Sequence, residues 1–301
     1  MSFFIVAFTR DRLLTCRSSQ RSRLVGQTPR AWRVFVIAWI SPLLLTACRF
    51  EDSFIFHPTA VIDRTPRDVG LDYQNIDFIA RDGVRLNGWF VPHAKARSTL
   101  IWFHGNAGNI GHRVENLKLL HDKVMANVFI FDYRGYGRSQ GKASEEGTYL
   151  DGEAALAVVR EQLAIDASRI ILFGRSLGAA VAAEMAFRFA NQAVILESPF
   201  VSIREMARSV FPFLPVGPLL QTRYDVVEKI RRIKTPLLVL HGDRDEIVPF
   251  AHGELVFDAA PQPKKFYRIV GAGHNDTYIV GGNRYFQELK NFIDSTAPTR
   301  R

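Results

Sequence analysis

Cysteine is nearly absent: two occur in 301 residues, Cys16 and Cys48, both near the N-terminus. The rest of the chain therefore holds neither an internal disulfide nor a cysteine-ligated metal site, and its redox compartment leaves no mark on it. No histidine pair has metal-ligand spacing and no Gly-x-Gly-x-x-Gly follows an apolar run, so neither a metal nor a dinucleotide cofactor is expected. Acidic residues are scarce in one region only. Residues 1–48 carry seven arginines, no lysine and one acid, Asp11, which puts +6 of the formal +9 there and about +3 on the remainder. The nucleic-acid partner that the total charge suggests loses its basis once the charge is placed. Repeats and low-complexity tracts are also missing, as is an apolar run of the roughly 20 residues that span a bilayer.

What the arginine-rich segment does have is RAWRVFVIAWISPLLLTAC, where Arg30 and Arg33 precede an apolar run, 34–45, and small residues follow, as in a secretory signal. Its ending, Leu45-Thr46-Ala47-Cys48, resembles the lipobox of bacterial lipoproteins, in which the signal is removed before the cysteine and the cysteine is acylated. This divides the chain into a targeting segment, 1–48, and a domain, 49–301, and implies an exported protein held at a membrane through Cys48. The competing readings are an uncleaved N-terminal anchor, a start codon placed too early, and a mitochondrial transit peptide, whose composition residues 1–30 share.

From Asn75 onward short apolar runs alternate with longer amphipathic ones, the pattern of a mostly parallel sheet covered by helices on both faces. NIDFIARDGVRLNGWFVP reads as two antiparallel strands joined at Asp82-Gly83; TLIWF, NVFIFD, RIILFG, AVILES, PLLVLHG and KFYRIV complete eight strands. Helices are expected in HRVENLKLLHDKVMA, over 144–163, in AAVAAEMAFRFA, over 250–259 and from Asn283. An apolar, irregular stretch from Pro199 to about Arg223 lies between two core strands, and a short cap is expected at about 199–229. Its Phe200, Phe211 and Phe213 belong to an apolar set suited to a hydrophobic rim, or to packing on the core.

The chemistry starts in RIILFGRSLGAAVAAEMA, a strand, then Gly-x-Ser-x-Gly, then a helix. In that context Ser176 sits on a sharp turn, Gly174 and Gly178 being small where side chains would strike the neighbouring strand and helix. A hydroxyl is a weak nucleophile at neutral pH and needs a base with a third group orienting it. After two later strands come HGDRDEIVP and GAGHND, which offer His274 as the base and either Asp243 or Asp245 as the acid, with Glu246 a poorer third. Spacing does not choose between the two aspartates. HGNAGN follows the third strand, and the backbone N–H groups of Asn106 and of Leu177, the first residue of a helix, would stabilise an oxyanion. His104 reads as a buried strand-end residue. Arg175 reads as a tether rather than a substrate clamp, and Asp132, Arg134 and Arg138 in DYRGYGRSQG as loop ties.

HGNAGN, DYRGYGRSQG, GRSLG, HGDRDEIVP and GAGHND stand in the order seen in the Bem46/ABHD13/ABHD17-like serine hydrolase branch of the α/β-hydrolase superfamily, which this chain resembles over residues 50–295. The resemblance implies the α/β-hydrolase fold, a doubly wound, mostly parallel eight-stranded sheet with a short cap insertion, and it moves the choice of acid to Asp245. It implies a serine hydrolase acting on acyl esters or thioesters, with a small-molecule or acyl-ester substrate, no cofactor and no metal. A serine peptidase or amidase, and a binding protein that has lost turnover, are the alternatives. The cysteine-rich N-terminal segment of ABHD17-like proteins is absent, so substrate does not carry over.

Overall fold

The computed structural model describes residues 51–52, 55–210 and 220–298. The targeting segment with Cys48, and Phe211 and Phe213 of the cap, lie outside the described residues. Among the described residues no helix is long and apolar enough to cross a membrane.

Eight strands form one sheet: β1 (Gln74–Ile79), β2 (Arg85–Val91), β3 (Thr99–Phe103), β4 (Asn127–Asp132), β5 (Ile170–Arg175), β6 (Ala193–Glu197), β7 (Leu237–Gly242) and β8 (Lys264–Ile269). Their order across the sheet is β8-β7-β6-β5-β3-β4-β2-β1. β1 pairs antiparallel with β2, and β2 antiparallel with β4, while every other pairing is parallel. This is the α/β-hydrolase architecture expected. The hairpin turns at Gly83, whose φ of 85° is open to a glycine without strain. β3, β5, β6 and β7 are buried along their whole length, as strands covered on both faces must be, whereas edge strand β1 alternates exposed and buried residues.

Among the described residues seven helices pack on the sheet or over it: α1 (Val114–Leu119), α2 (Glu145–Ala157), α3 (Leu177–Arg188), α4 (Ile203–Val210), α5 (Val226–Ile230), α6 (Phe250–Ala259) and α7 (Thr277–Thr296). Ile101, Phe103, Phe129, Leu172 and Leu196 form one core with the alanine-rich face of α3. Leu100, Trp102, Ile130, Phe173 and Leu240 point the other way, onto α1 and the Tyr285–Leu289 turn of α7. Each such side chain contributes roughly 1.5–3 kcal/mol by leaving water, so the alternation of every strand between two cores is what fixes its register.

Two elements differ from expectation. The stretch after Pro199 is not irregular throughout: Ser202 Oγ accepts the Glu205 N–H at 3.2 Å, starting α4 at Ile203. The final helix begins at Thr277 rather than Asn283, and is broken at Gly282, where φ of 53° and ψ of −141° leave helical space. That break made the second half look like the whole.

Candidate active site

β5 ends at Arg175 and α3 begins at Leu177, leaving Ser176 alone to turn the chain. It does so at φ 53° and ψ −120°, a conformation that costs a non-glycine residue about 1–3 kcal/mol and persists only where the surroundings impose it. They do. The Ser176 N–H donates to the Glu197 carbonyl at 2.9 Å. A Cβ at Gly178 would sit 2.0 Å from the Phe103 carbonyl oxygen, and one at Gly174 would sit 2.3 Å from the Gly178 carbonyl oxygen. With only hydrogen at these two positions, α3 lies against β3 and β5 and Ser176 projects beyond the ends of the strands.

Two loops further on, the geometry separates the aspartates that spacing left equivalent. Asp243 accepts the Gly271 N–H at 2.7 Å and bonds the Arg268 guanidinium at 3.0 and 2.9 Å, which ties the end of β7 to that of β8. Those bonds hold its carboxyl below the usual range. Asp245 is buried, with Oδ2 2.8 Å from His274 Nδ1 and Oδ1 accepting the N–H groups of Ile247 and Val248 at 3.0 and 2.7 Å. His241 Nε2 stands 3.3 Å from Oδ2 as well. Burial alone would push the Asp245 carboxyl up, but the bonds from His241 and His274, the charge of His274 and the Val248 N–H outweigh it and hold it well below the ordinary carboxylate range. A carboxylate only accepts, so His274 carries its proton on Nδ1 and turns a basic Nε2 away from Asp245.

The loop bearing His274 is held by Glu246 and Arg175, and behind them by Glu197, which sequence reasoning passed over. Glu246 Oε2 accepts the His274 N–H at 3.1 Å, and Arg175 Nη2 donates to the His274 carbonyl at 2.5 Å. Arg175 is itself set by Glu197, fully buried at the end of β6, with Nε 3.4 Å from Oε1. Glu197 also accepts from Thr277 Oγ1 and, at 2.8 Å, from Tyr285 OH. The tether expected of Arg175 therefore runs to the histidine loop. Its signal was Glu197 in AVILES and Arg175 in GRSLG, two opposite charges at neighbouring strand ends.

Ser176, His274, Asn106 and Leu177 line one cavity of about 600 Å³, the size of a small-molecule site. Phe200, Ile203, Met206, Ile247 and Val248 make one wall apolar, two of them from α4, and Arg113, Arg175, His57 and His112 make another polar. Asn106 is pinned through its side chain: Oδ1 accepts from Tyr136 OH at 2.9 Å and from the His57 N–H at 3.3 Å, and Nδ2 donates to the Ile55 carbonyl. The loop is fixed from the other side by a two-residue parallel bridge, His57–Pro58 with Ala107–Gly108. The N–H of Leu177, at the first turn of α3, has no helical carbonyl to bond. His104 is fully buried, as expected, with Nδ1 2.7 Å from the Gly105 carbonyl and Nε2 3.7 Å from Asp132. Arg134 is a loop tie, bonded to Asp151 and Asp82.

The chain is similar to the α/β hydrolase domain-containing protein WAV2 of Arabidopsis thaliana, 36% identical over 79% of this chain and 83% of the relative. It is 35% identical to protein bem46 of Schizosaccharomyces pombe over 76% of this chain and 79% of that one. The chain belongs to the α/β-hydrolase family, in the branch that contains Bem46. Residues 94–216 also match the family described as serine aminopeptidase, S33. Among solved structures the esterase Pf2001 of Pyrococcus furiosus superimposes with a TM-score of 0.68 at 22% identity, covering 81% of this chain and 99% of the esterase. At that identity the likeness shows a shared fold.

Proposed function

We propose that this α/β hydrolase is a serine hydrolase that cleaves acyl esters or thioesters through an acyl-enzyme on Ser176. The observation that carries the reading is the conjunction, in one cavity, of a serine on an enforced strained turn and a histidine whose Nδ1 is bonded to a buried carboxylate. His274 Nε2 takes the proton of Ser176 Oγ as the oxygen attacks the carbonyl carbon; the carbonyl electron pair moves onto oxygen, facing the backbone N–H groups of Asn106 and Leu177. The imidazolium, stabilised by Asp245, returns its proton to the leaving alkoxide or thiolate as that bond breaks. Water then repeats the steps on the acyl-serine, releasing the acid.

Labelling by a fluorophosphonate probe tests the mechanism: the mass of one phosphonyl group is expected on the peptide bearing Ser176, and none on Ser176→Ala. A protein that turns over esters yet resists the probe would refute it. The family name serine aminopeptidase favours a second reading, an amidase, so the substrate panel includes aminoacyl amides beside esters and thioesters. Turnover of the amides in preference to both esters would replace the first reading. For the N-terminal segment the proposal is export and acylation of Cys48 after cleavage, leaving 254 residues, 301 minus 47. Mass spectrometry of the mature terminus from membranes of a bacterial host decides it; an intact, unacylated terminus would reject it.

A further inference from the structure

The polar wall of the cavity contains a cation that, among the described residues, is in ion-pair contact with no carboxylate. Two arginines line it, Arg113 and Arg175, and Arg175 is paired with Glu197. Arg113 lines the cavity, donates to the Ala107 carbonyl at 2.5 Å, and among the described residues has no carboxylate within ion-pair distance. Its Nε is shut off from water without a hydrogen-bond partner. No aspartate or glutamate lines the cavity, while His57, His112 and Asn275 stand on it with Arg113. Burial first, and then the charge of Arg175, push the Arg113 guanidinium down to about 10 against the opposing pull of Asp132, which lies beyond ion-pair distance, so at neutral pH it is still a cation. A buried donor left unpaired is costly, and a guanidinium meets carboxylate or phosphate oxygens in its own plane.

We infer that Arg113 forms an anion subsite, and that the substrate of this hydrolase carries a negatively charged group, carboxylate or phosphate, reaching the polar wall while its acyl or alkyl part lies on the wall of Phe200, Ile203 and Met206. The inference rests on the serine-hydrolase reading and adds the substrate class to it. Arg113 is here a specificity residue. Its bond to the Ala107 carbonyl gives it a structural use too, which is why the test reads a ratio and not a rate.

The experiment compares two pairs of esters with matched leaving groups, one pair differing by a terminal methyl or carboxylate at the acyl end, the other by a neutral or phosphorylated alcohol. The wild-type protein is expected to favour the anionic member of at least one pair by about tenfold in kcat/KM, mainly through KM, as a charge-assisted hydrogen bond supplies. Arg113→Gln should bring that ratio to near one, Arg113→Lys should keep most of it, and added salt should lower it in the wild type. The pair that responds identifies the end of the substrate and the anion. Equal turnover within both pairs, or a preference that survives in Arg113→Gln, overturns the subsite and leaves the hydrolase mechanism standing. Turnover of none of the four esters together with no probe labelling would remove the mechanism and the subsite with it. Should Arg113→Gln not fold, the wild-type ratio and its salt dependence decide.

Discussion

Two aspartate–histidine pairs flank Ser176, made of the same residue types at the ends of neighbouring strands, and they are in opposite states. In one, Asp245 accepts two backbone N–H groups and lies 2.8 Å from His274, whose ring reaches the cavity. In the other, Asp132 accepts a single N–H, from Ile110, its Oδ2 has no partner, and His104 stands 3.7 Å away with both side chains fully buried. Burial dominates there: the Asp132 carboxyl is pushed up to about 7 and the His104 ring down to about 3. The lesson is that residue identity does not make a charged, working pair. The donors around the carboxylate do, and here only the loop after β7 provides enough of them.

The comparison breaks most visibly in turnover. Ser176→Ala and His274→Ala should each lower kcat on an activated ester by about ten-thousandfold or more, with far-UV circular dichroism unchanged, and Asp245→Asn by about a thousandfold or more. Asp132→Asn should cost less than tenfold in the same assay. A loss in Asp132→Asn matching that in Asp245→Asn would mean that the two pairs act alike and would undo the assignment. Asp243→Asn sharpens the same point within one loop. Its bonds go to Arg268 and Gly271, so kcat should fall less than tenfold, and the reverse ranking of the two loop aspartates would move the acid to Asp243.

A smaller effect is expected one step back from His274. Glu197→Gln weakens the hold on Arg175, and through it on the His274 carbonyl. The expected result is a fall of about tenfold in kcat with KM little changed, because the histidine is positioned less well while the cavity walls stay in place. A change confined to KM would assign Arg175 to substrate contact instead.

Much of this arrangement could be read before any coordinates. Gly174, Ser176 and Gly178 between an apolar run and an alanine-rich helix specify the turn, because the short-range sterics that demand them are local. His274 and the eight strands follow from chain order and period. What local pattern does not hold is which long-range partners meet: Asp243 and Asp245 are equivalent until Arg268 and Gly271 are seen to occupy the first. Glu197, buried under the site, looks like any strand-end acid in AVILES. The start of α4 was hidden by Pro199 and the prolines at 212, 215 and 218, which read as loop although Ser202 caps eight helical residues among them. That Arg113 meets no carboxylate within ion-pair distance among the described residues was invisible, because a missing partner has no sequence signature.

The smallest effect is on stability, and its sign distinguishes the pairs without any substrate. Asp132 is raised in the fold from 3.8 to about 7, so between those values the folded protein holds a proton the unfolded chain has lost, and stability falls as pH rises through that window. His104 is lowered from 6.5 to about 3, so the unfolded chain holds the extra proton between those values and stability rises with pH. From about 4 to 6.5 the two slopes cancel: the native pair keeps one proton, on the carboxyl, and bears no net or local charge. Asp132→Asn keeps the acceptor for the Ile110 N–H and removes only the first slope. The stability of Asp132→Asn relative to wild type should therefore shift in the variant's favour between pH 4 and pH 8, by on the order of 3 kcal/mol, whatever its absolute sign. Urea midpoints of both proteins at several pH values across that range measure the shift. A gap constant with pH would mean that Asp132 is ionised throughout, making it a second charged pair like that of Asp245 and erasing the contrast between the two sides of Ser176.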